Sequence, residues 1–99
     1  MVSESNSNGS NGAEQESLLK FPTDYPFKVI GKPSDEFRAR VHAIMLKHAP
    51  DLEVSRITER LSEKGNFIAI TYVIVAQSRE QVTALAGDLA ACDLVTMVI

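Results

Sequence analysis

Residues 67–77, FIAITYVIVAQ, read as a strand that is apolar on both faces, and they follow a charged turn, Glu63-Lys64-Gly65-Asn66. Side chains alternate across a strand. Ile68, Ile70, Tyr72 and Ile74 therefore share one face, and Phe67, Ala69, Thr71, Val73 and Val75 share the other. A small one-layer sheet usually buries one face and wets the other, so such a strand belongs in the middle of a sheet whose second face also needs cover. The first set is bulkier and more β-branched, and it is assigned to packing helices. The second set then faces away from them.

The rest of the chain supplies the partners. YPFKVIG, residues 25–31, reads as a first strand with Phe27 and Val29 on one face and Lys28 and Ile30 on the other. Ser34 caps a helix whose first turn carries Asp35 and Glu36, the charge sign that a helix N-terminus favours. Phe37, Val41, Ile44, Met45 and His48 form its apolar stripe, and Ala49-Pro50 stops it. Residues 52–62 read as a weaker, charged edge strand in which Val54 has the wrong parity, the mark of a bulge. Residues 63–66 make a hairpin turn into the strand over 67–77. Ser78, with Gln81 in a capping box, starts a second helix striped by Val82, Leu85, Ala86, Leu89 and Ala90. A last strand over 94–99 sets Leu94, Thr96 and Val98 against Val95, Met97 and Ile99.

The order strand, helix, strand, strand, helix, strand, with right-handed crossovers, predicts an α+β ferredoxin-like βαββαβ fold. In it a four-stranded antiparallel sheet carries both helices on one face, and the first and third strands are central. The folded domain is placed at residues 18–99. Residues 1–17, rich in Ser, Asn, Gly and Glu, bury too little to offset the entropy of ordering and are read as a disordered tail. Leu18, Leu19 and Phe21 are expected either to fold over part of the bare sheet or to leave it to a partner.

Charge narrows the function classes. Of 13 acids, Glu4, Glu14 and Glu16 lie in the tail, which has no Lys or Arg, so the domain itself is formally neutral. It has no basic surplus for gripping phosphate backbones, which argues against nucleic acid. No apolar run approaches the roughly 20 residues of a membrane helix, the N-terminus lacks a secretion signal, and Cys92 has no cysteine partner. The expected setting is the cytoplasm, without membrane contact.

Three separated blocks, FPTDYPFKVIG, KGNF and DLVTMVI, resemble the YbeD-like proteins, the UPF0250 group of short bacterial cytoplasmic proteins of unassigned function. The resemblance spans residues 18–99. It implies an ACT-like domain, similar to the regulatory domains of amino-acid-metabolic enzymes, and carries over no catalytic residues. Genes of the group often lie near an octanoyl (lipoyl) transferase gene, which is context and not mechanism.

Candidate ligand-binding residues are Gly31, Lys32 and Ser34. Backbone N–H groups at a helix start attract anions, Lys32 adds charge, and Gly31 lets a ligand approach; a tight turn with a capped helix explains the same residues. Pro26 and Pro33 break any phosphate-loop pattern around Gly-Lys. Candidate interface residues are Lys28, Lys64, Phe67, Ala69, Thr71, Val73 and Val75, since exposed apolar patches mark interaction sites. A homo-oligomer or another protein is the expected partner, through this face or an edge strand. His42 and His48, about 240° apart around a helix, make no metal site. Cys92 at a helix C-terminus is not activated. Arg38, Arg40 and Arg79 read as solvated helix faces. Neither catalytic residues nor a cofactor are expected. The reading is a regulatory or adaptor domain acting in trans, sensing a small carboxylate in one version. The alternatives are RNA binding, with stacking on Phe27, Phe67 or Tyr72, and a small acyl-phosphate hydrolase.

Overall fold

β3 (Ile68–Ala76) is the strand on which the sheet is registered. It pairs antiparallel with β1 (Thr23–Gly31) on one side and β2 (Ile57–Leu61) on the other, and β4 (Val95–Val98) pairs with β1. The order is β2-β3-β1-β4, so the two-faced strand is central. The computed structural model describes residues 20–99; the 1–17 tail, Leu18 and Leu19 lie outside the described residues. No helix among the described residues is long and apolar enough to cross a membrane.

α1 (Asp35–His48) and α2 (Arg79–Ala91) cover one face of this sheet. The core joins Phe37, Val41 and Met45 of α1 and Leu85 and Leu89 of α2 to Phe27 and Val29 of β1 and Ile68, Ile70, Tyr72 and Ile74 of β3. The bulkier set of β3 thus meets the helices, as the alternation predicts. Phe21 also packs on this helix-side core, so it does not cover the open face.

Both helices start at a serine cap. Ser34 Oγ accepts the Phe37 N–H at 3.0 Å, and Ser78 Oγ accepts the Gln81 N–H at 3.1 Å. The second arm of the expected capping box is displaced. Gln81 Oε1 accepts from the Gln77 N–H at 2.6 Å, one residue before the cap, while Gln81 Nε2 donates to the His48 carbonyl at 2.7 Å. That carbonyl is one of the groups a helix C-terminus leaves unsatisfied. His48, placed by the sequence on the apolar stripe of this helix, also reaches across to α2, with Nε2 2.6 Å from Asp88 Oδ2. His48→Ala is expected to lower the thermal midpoint and to speed amide exchange at the end of α1 and in α2 around Asp88. Unchanged exchange at both places would show that the contact holds nothing.

Two strands depart from expectation. Val54 lies in a short 3₁₀ turn, Val54–Arg56, so β2 begins only at Ile57 and its parity needs no bulge. The register shift falls in β4 instead: Gly31 pairs with Val95 and Ile30 with Met97, leaving Thr96 as the extra residue. An extra residue re-phases the strand. Val95 and Val98 therefore both lie against the core, rather than on opposite faces.

The hairpin loop closes with the Ser62 N–H donating to the Phe67 carbonyl at 2.8 Å and the Phe67 N–H to Ser62 Oγ at 3.0 Å. Gly65 has φ +75°, the left-handed region that glycine enters freely. A Cβ there would meet only Leu61 Cδ2, at 3.9 Å. Gly65→Ala is therefore expected to destabilise by about 1 kcal/mol through backbone strain alone, read as a shifted urea midpoint with unchanged m.

Candidate functional site

No helix among the described residues covers the second face of the sheet. Its rows follow from the register. Arg60, Ala69, Ile30 and Met97 lie side by side across all four strands. Thr58, Thr71 and Lys28 form the next row, and Lys28 exchanges backbone hydrogen bonds with Ile99 at 2.8 and 3.3 Å. Val73 beside Pro26 and Val75 beside Asp24 complete the face. Ala69, Thr71 and Val73 are half-buried by their neighbours alone, whereas Phe67, Val75 and Met97 are exposed. The face is an apolar strip with exposed Lys28 and Arg60 set in it. Neither cation has an ion-pair partner among the described residues. At the hairpin end, Ile30, Arg60, Ser62, Glu63, Phe67 and Ala69 line a shallow cleft of about 620 Å³.

The proposed interface residues thus separate into two groups. Lys28, Ala69, Thr71, Val73 and Val75 share the open face, with Phe67 at its end. Lys64 sits at the exposed hairpin tip, off the sheet. Missed by sequence reasoning were Ile30, Arg60 and Met97. Lys28–Ile30 parity and the charged second strand carried the signal, but only strand order places these residues around Ala69.

Gly31, Lys32 and Ser34 do lie together at the β1–α1 turn. Gly31 is buried, and a Cβ on it would stand 2.7 Å from the Leu94 carbonyl and 2.8 Å from Phe37 Cδ1. Its small size makes room for the Phe37 ring. Ser34 Oγ is engaged as the α1 cap, and Lys32 is exposed, without an ion pair among the described residues.

A polar cluster that sequence reasoning did not find bridges α1 and β2. Arg38 Nε donates to both Glu59 oxygens at 3.2 and 3.3 Å, so Arg38 is not simply solvated. Beside it His42 Nδ1 lies 3.1 Å from the Tyr72 hydroxyl. Burial, reinforced by the Glu59 charge, pushes the Tyr72 phenol up to about 12, so it stays protonated at neutral pH. A tyrosine in the buried phase of a strand must place its hydroxyl somewhere, which was the available signal. Arg40 likewise pairs with Glu36 and Asp93. Among the described residues, no three or more His, Cys, Asp or Glu side chains gather as metal ligands.

Two aspartates are held below the ordinary carboxylate value of 3.8. The cause is the Arg56 guanidinium for Asp24 and, foremost, the His48 hydrogen bond for Asp88, with Lys47 adding to it. A carboxyl lowered by folding contributes stability above its unfolded pKa and loses it as pH falls through the folded one. The thermal midpoint is therefore expected to drop as pH is taken below 3.8, and Asp88→Asn to flatten that acid limb. Identical pH profiles for the two proteins would refute the linkage.

Comparison with known proteins agrees with this architecture. A family model described as "Protein of unknown function (DUF493)" matches residues 16–99. A UPF0250 protein of Ectopseudomonas mendocina is 40% identical over 82 residues, covering 82% of this chain and 89% of the relative. Another, from Vesicomyosocius okutanii, is 36% identical over 84 residues, covering 85% and 91%. Among solved structures, protein HP0495 of H. pylori superimposes with a TM-score of 0.68 at 8% identity, over 94% of this chain and 98% of that one. The ACT domain from GTP pyrophosphokinase of Chlorobium tepidum does so with a TM-score of 0.60 at 15% identity, over 78% and 97%. At these identities the structures share the fold alone, an ACT-like, ferredoxin-like one. The sequence matches carry more: this chain belongs to the UPF0250 (DUF493) family.

Proposed function

We propose that the protein is a regulatory or adaptor domain that acts in trans, binding a protein partner through the open face of its sheet. The observation that carries this reading is the uncovered strip of Ile30, Ala69, Val73, Val75 and Met97 with Lys28 and Arg60 set in it. An apolar patch with isolated charges suits a partner that buries the strip and offers acids to the cations. The ACT-like fold also occurs as a domain of an enzyme in Chlorobium tepidum, which supports a modular role.

A non-catalytic reading is supported by where the close titratable pairs lie. Arg38–Glu59 and His48–Asp88 join separate elements of the scaffold, as structural ties do. RNA stacking loses two of its three aromatics, because Phe27 and Tyr72 are buried on the helix side and only Phe67 is exposed. The turn at Gly31, Lys32 and Ser34 supports a finer version, in which the exposed Lys32 ammonium holds a small carboxylate. Saturable amide shifts there on titration with amino, 2-oxo and lipoate-like acids, abolished by Lys32→Ala, are the expected result.

The interface is tested with Val73→Asp and Phe67→Ser. Partner capture, or self-association in sedimentation, is expected in wild type and lost in both variants, while Leu46→Asp on the exposed side of α1 retains it. Equal behaviour of all four proteins would rule out the sheet face.

A further inference from the structure

β2 stands at the end of the strand order, and its outer side has no strand beside it among the described residues. The Ser62 N–H donates to the Phe67 carbonyl, and pairing directions alternate along an antiparallel ladder. Ser62, Arg60 and Thr58 thus turn their backbone groups toward β3, and Glu59 and Leu61 turn both N–H and carbonyl outward. Ile57 turns out its carbonyl, while its N–H donates to the Val54 carbonyl. The other edge offers less. β4 has four residues, one of them the extra Thr96, and on β1 the next outward position after Lys28 is Pro26, which has no N–H to donate.

The side chains along β2 form a ledge. Ile57, Glu59 and Leu61 share the phase of buried Tyr72, Ile70 and Ile68, yet α1 leaves them largely uncovered. Leu61 is 55% exposed, and Val54, just before the strand, is 73% exposed. Between β2 and α1 lies a cleft of about 380 Å³ whose apolar lining is Val54, Ile57, Ile70 and Tyr72. Edge strands are ordinarily guarded by charge, proline, a bulge or a covering segment. Here the Glu59 carboxylate is drawn onto Arg38 of α1 at 3.2 Å. Arg60, on the open-face phase, is left as the one charge of the strand without an ion-pair partner among the described residues.

A second copy fits this edge poorly. Antiparallel pairing of β2 with itself about a two-fold axis uses all five residues only when centred on Glu59, and the two Glu59 then stand directly opposite each other. Like charges so placed destabilise the pair. A strand of different sequence meets no such conflict and can set an acid opposite Arg60.

We propose that the outer edge of β2 receives an extended segment of another protein, running antiparallel, with apolar side chains opposite Ile57 and Leu61 and an acid opposite Arg60. Main-chain bonds to Glu59 and Leu61 hold the segment, and the cleft beside α1 selects its apolar side chain. The inference concerns the edge rather than the open face, and stands or falls without the interface reading.

The test titrates the isotope-labelled full chain with the acetylated and amidated peptide Val-Glu-Val-Thr-Leu, followed by amide spectra and hydrogen exchange. Saturable shifts centred on Ile57–Leu61 are expected, with slowed exchange of the Glu59 and Leu61 amides, which are open in the protein alone. A peptide with Lys in place of Glu should bind up to about fivefold more weakly, and Arg60→Glu should invert that order. Leu61→Pro removes one outward N–H without touching the ladder to β3, and it should abolish binding. Four results would overturn the proposal. Absence of shifts at millimolar peptide would leave the edge without an occupant of this kind. Shifts confined to Ala69, Thr71 and Val73 would move the segment to the open face, in favour of the interface reading and against this one. Protection of the Glu59 and Leu61 amides that rises with protein concentration, with no peptide present, would give the edge to a second copy. Protection independent of concentration would show the edge already covered within one chain. All four are read on the wild-type protein, so none depends on how a variant folds.

Discussion

Gly31→Ala is expected to destabilise the domain by roughly 3 kcal/mol, the upper part of the range for overpacking a filled core. The added methyl would stand 2.7 Å from the Leu94 carbonyl and 2.8 Å from Phe37 Cδ1. Neither neighbour can retreat freely. Leu94 O is backbone, at the entry to β4, and Phe37 is fully buried in the first turn of α1. Small domains have only about 5–15 kcal/mol of stability, so one methyl group removes a large share. Urea unfolding measures the loss. A double variant, Gly31→Ala with Phe37→Leu, should recover part of it, because the two positions share one space. An undiminished midpoint in Gly31→Ala would mean that the β1–α1 turn is looser than described. Glycine would then be available for the approach of a ligand, which its packing role now explains without one.

Ile70→Ala is the second large effect, expected at about 2–5 kcal/mol. Ile70 is 1% exposed in the middle of β3, between Val29 on β1 and Glu59 on β2. The informative comparison is with Val73→Asp, three residues along and on the opposite face. That substitution puts a charge on a half-buried open surface and is expected to change stability far less, while removing partner binding. Melting both variants beside wild type checks the assignment of faces. If Val73→Asp unfolds the chain and Ile70→Ala does not, the parity is inverted.

Much of this was legible in the sequence because the deciding signals are local. Alternation in 67–77 identified the buried set of β3, and Ser34 and Ser78 marked both helix starts. Gly65 marked the hairpin. The open face emerged by subtraction, as the apolar residues of β3 for which no helix remained. What stayed hidden depends on residues that meet only once the chain has folded. Arg38 and Glu59 are 21 positions apart, His42 and Tyr72 30, and His48 and Asp88 40. No periodicity relates them. The re-phasing at Thr96 was hidden for a similar reason, since a bulge is defined by the partner strand that skips a residue. At the β1–α1 turn, the sequence showed a glycine where the chain needs one but not what occupies the space. The Phe37 ring does.

The two-faced strand has a consequence for how the protein can change. Positions 68, 70, 72 and 74 hold the scaffold together, while 69, 71, 73 and 75 look outward. Neighbours in the chain therefore answer to different physical demands. With the open face as the proposed interface, substitutions at odd positions are expected to alter recognition with little effect on folding, and substitutions at even positions to do the reverse. On that proposal, recognition and stability are carried on interleaved letters of one word, and either can be altered without rewriting the other.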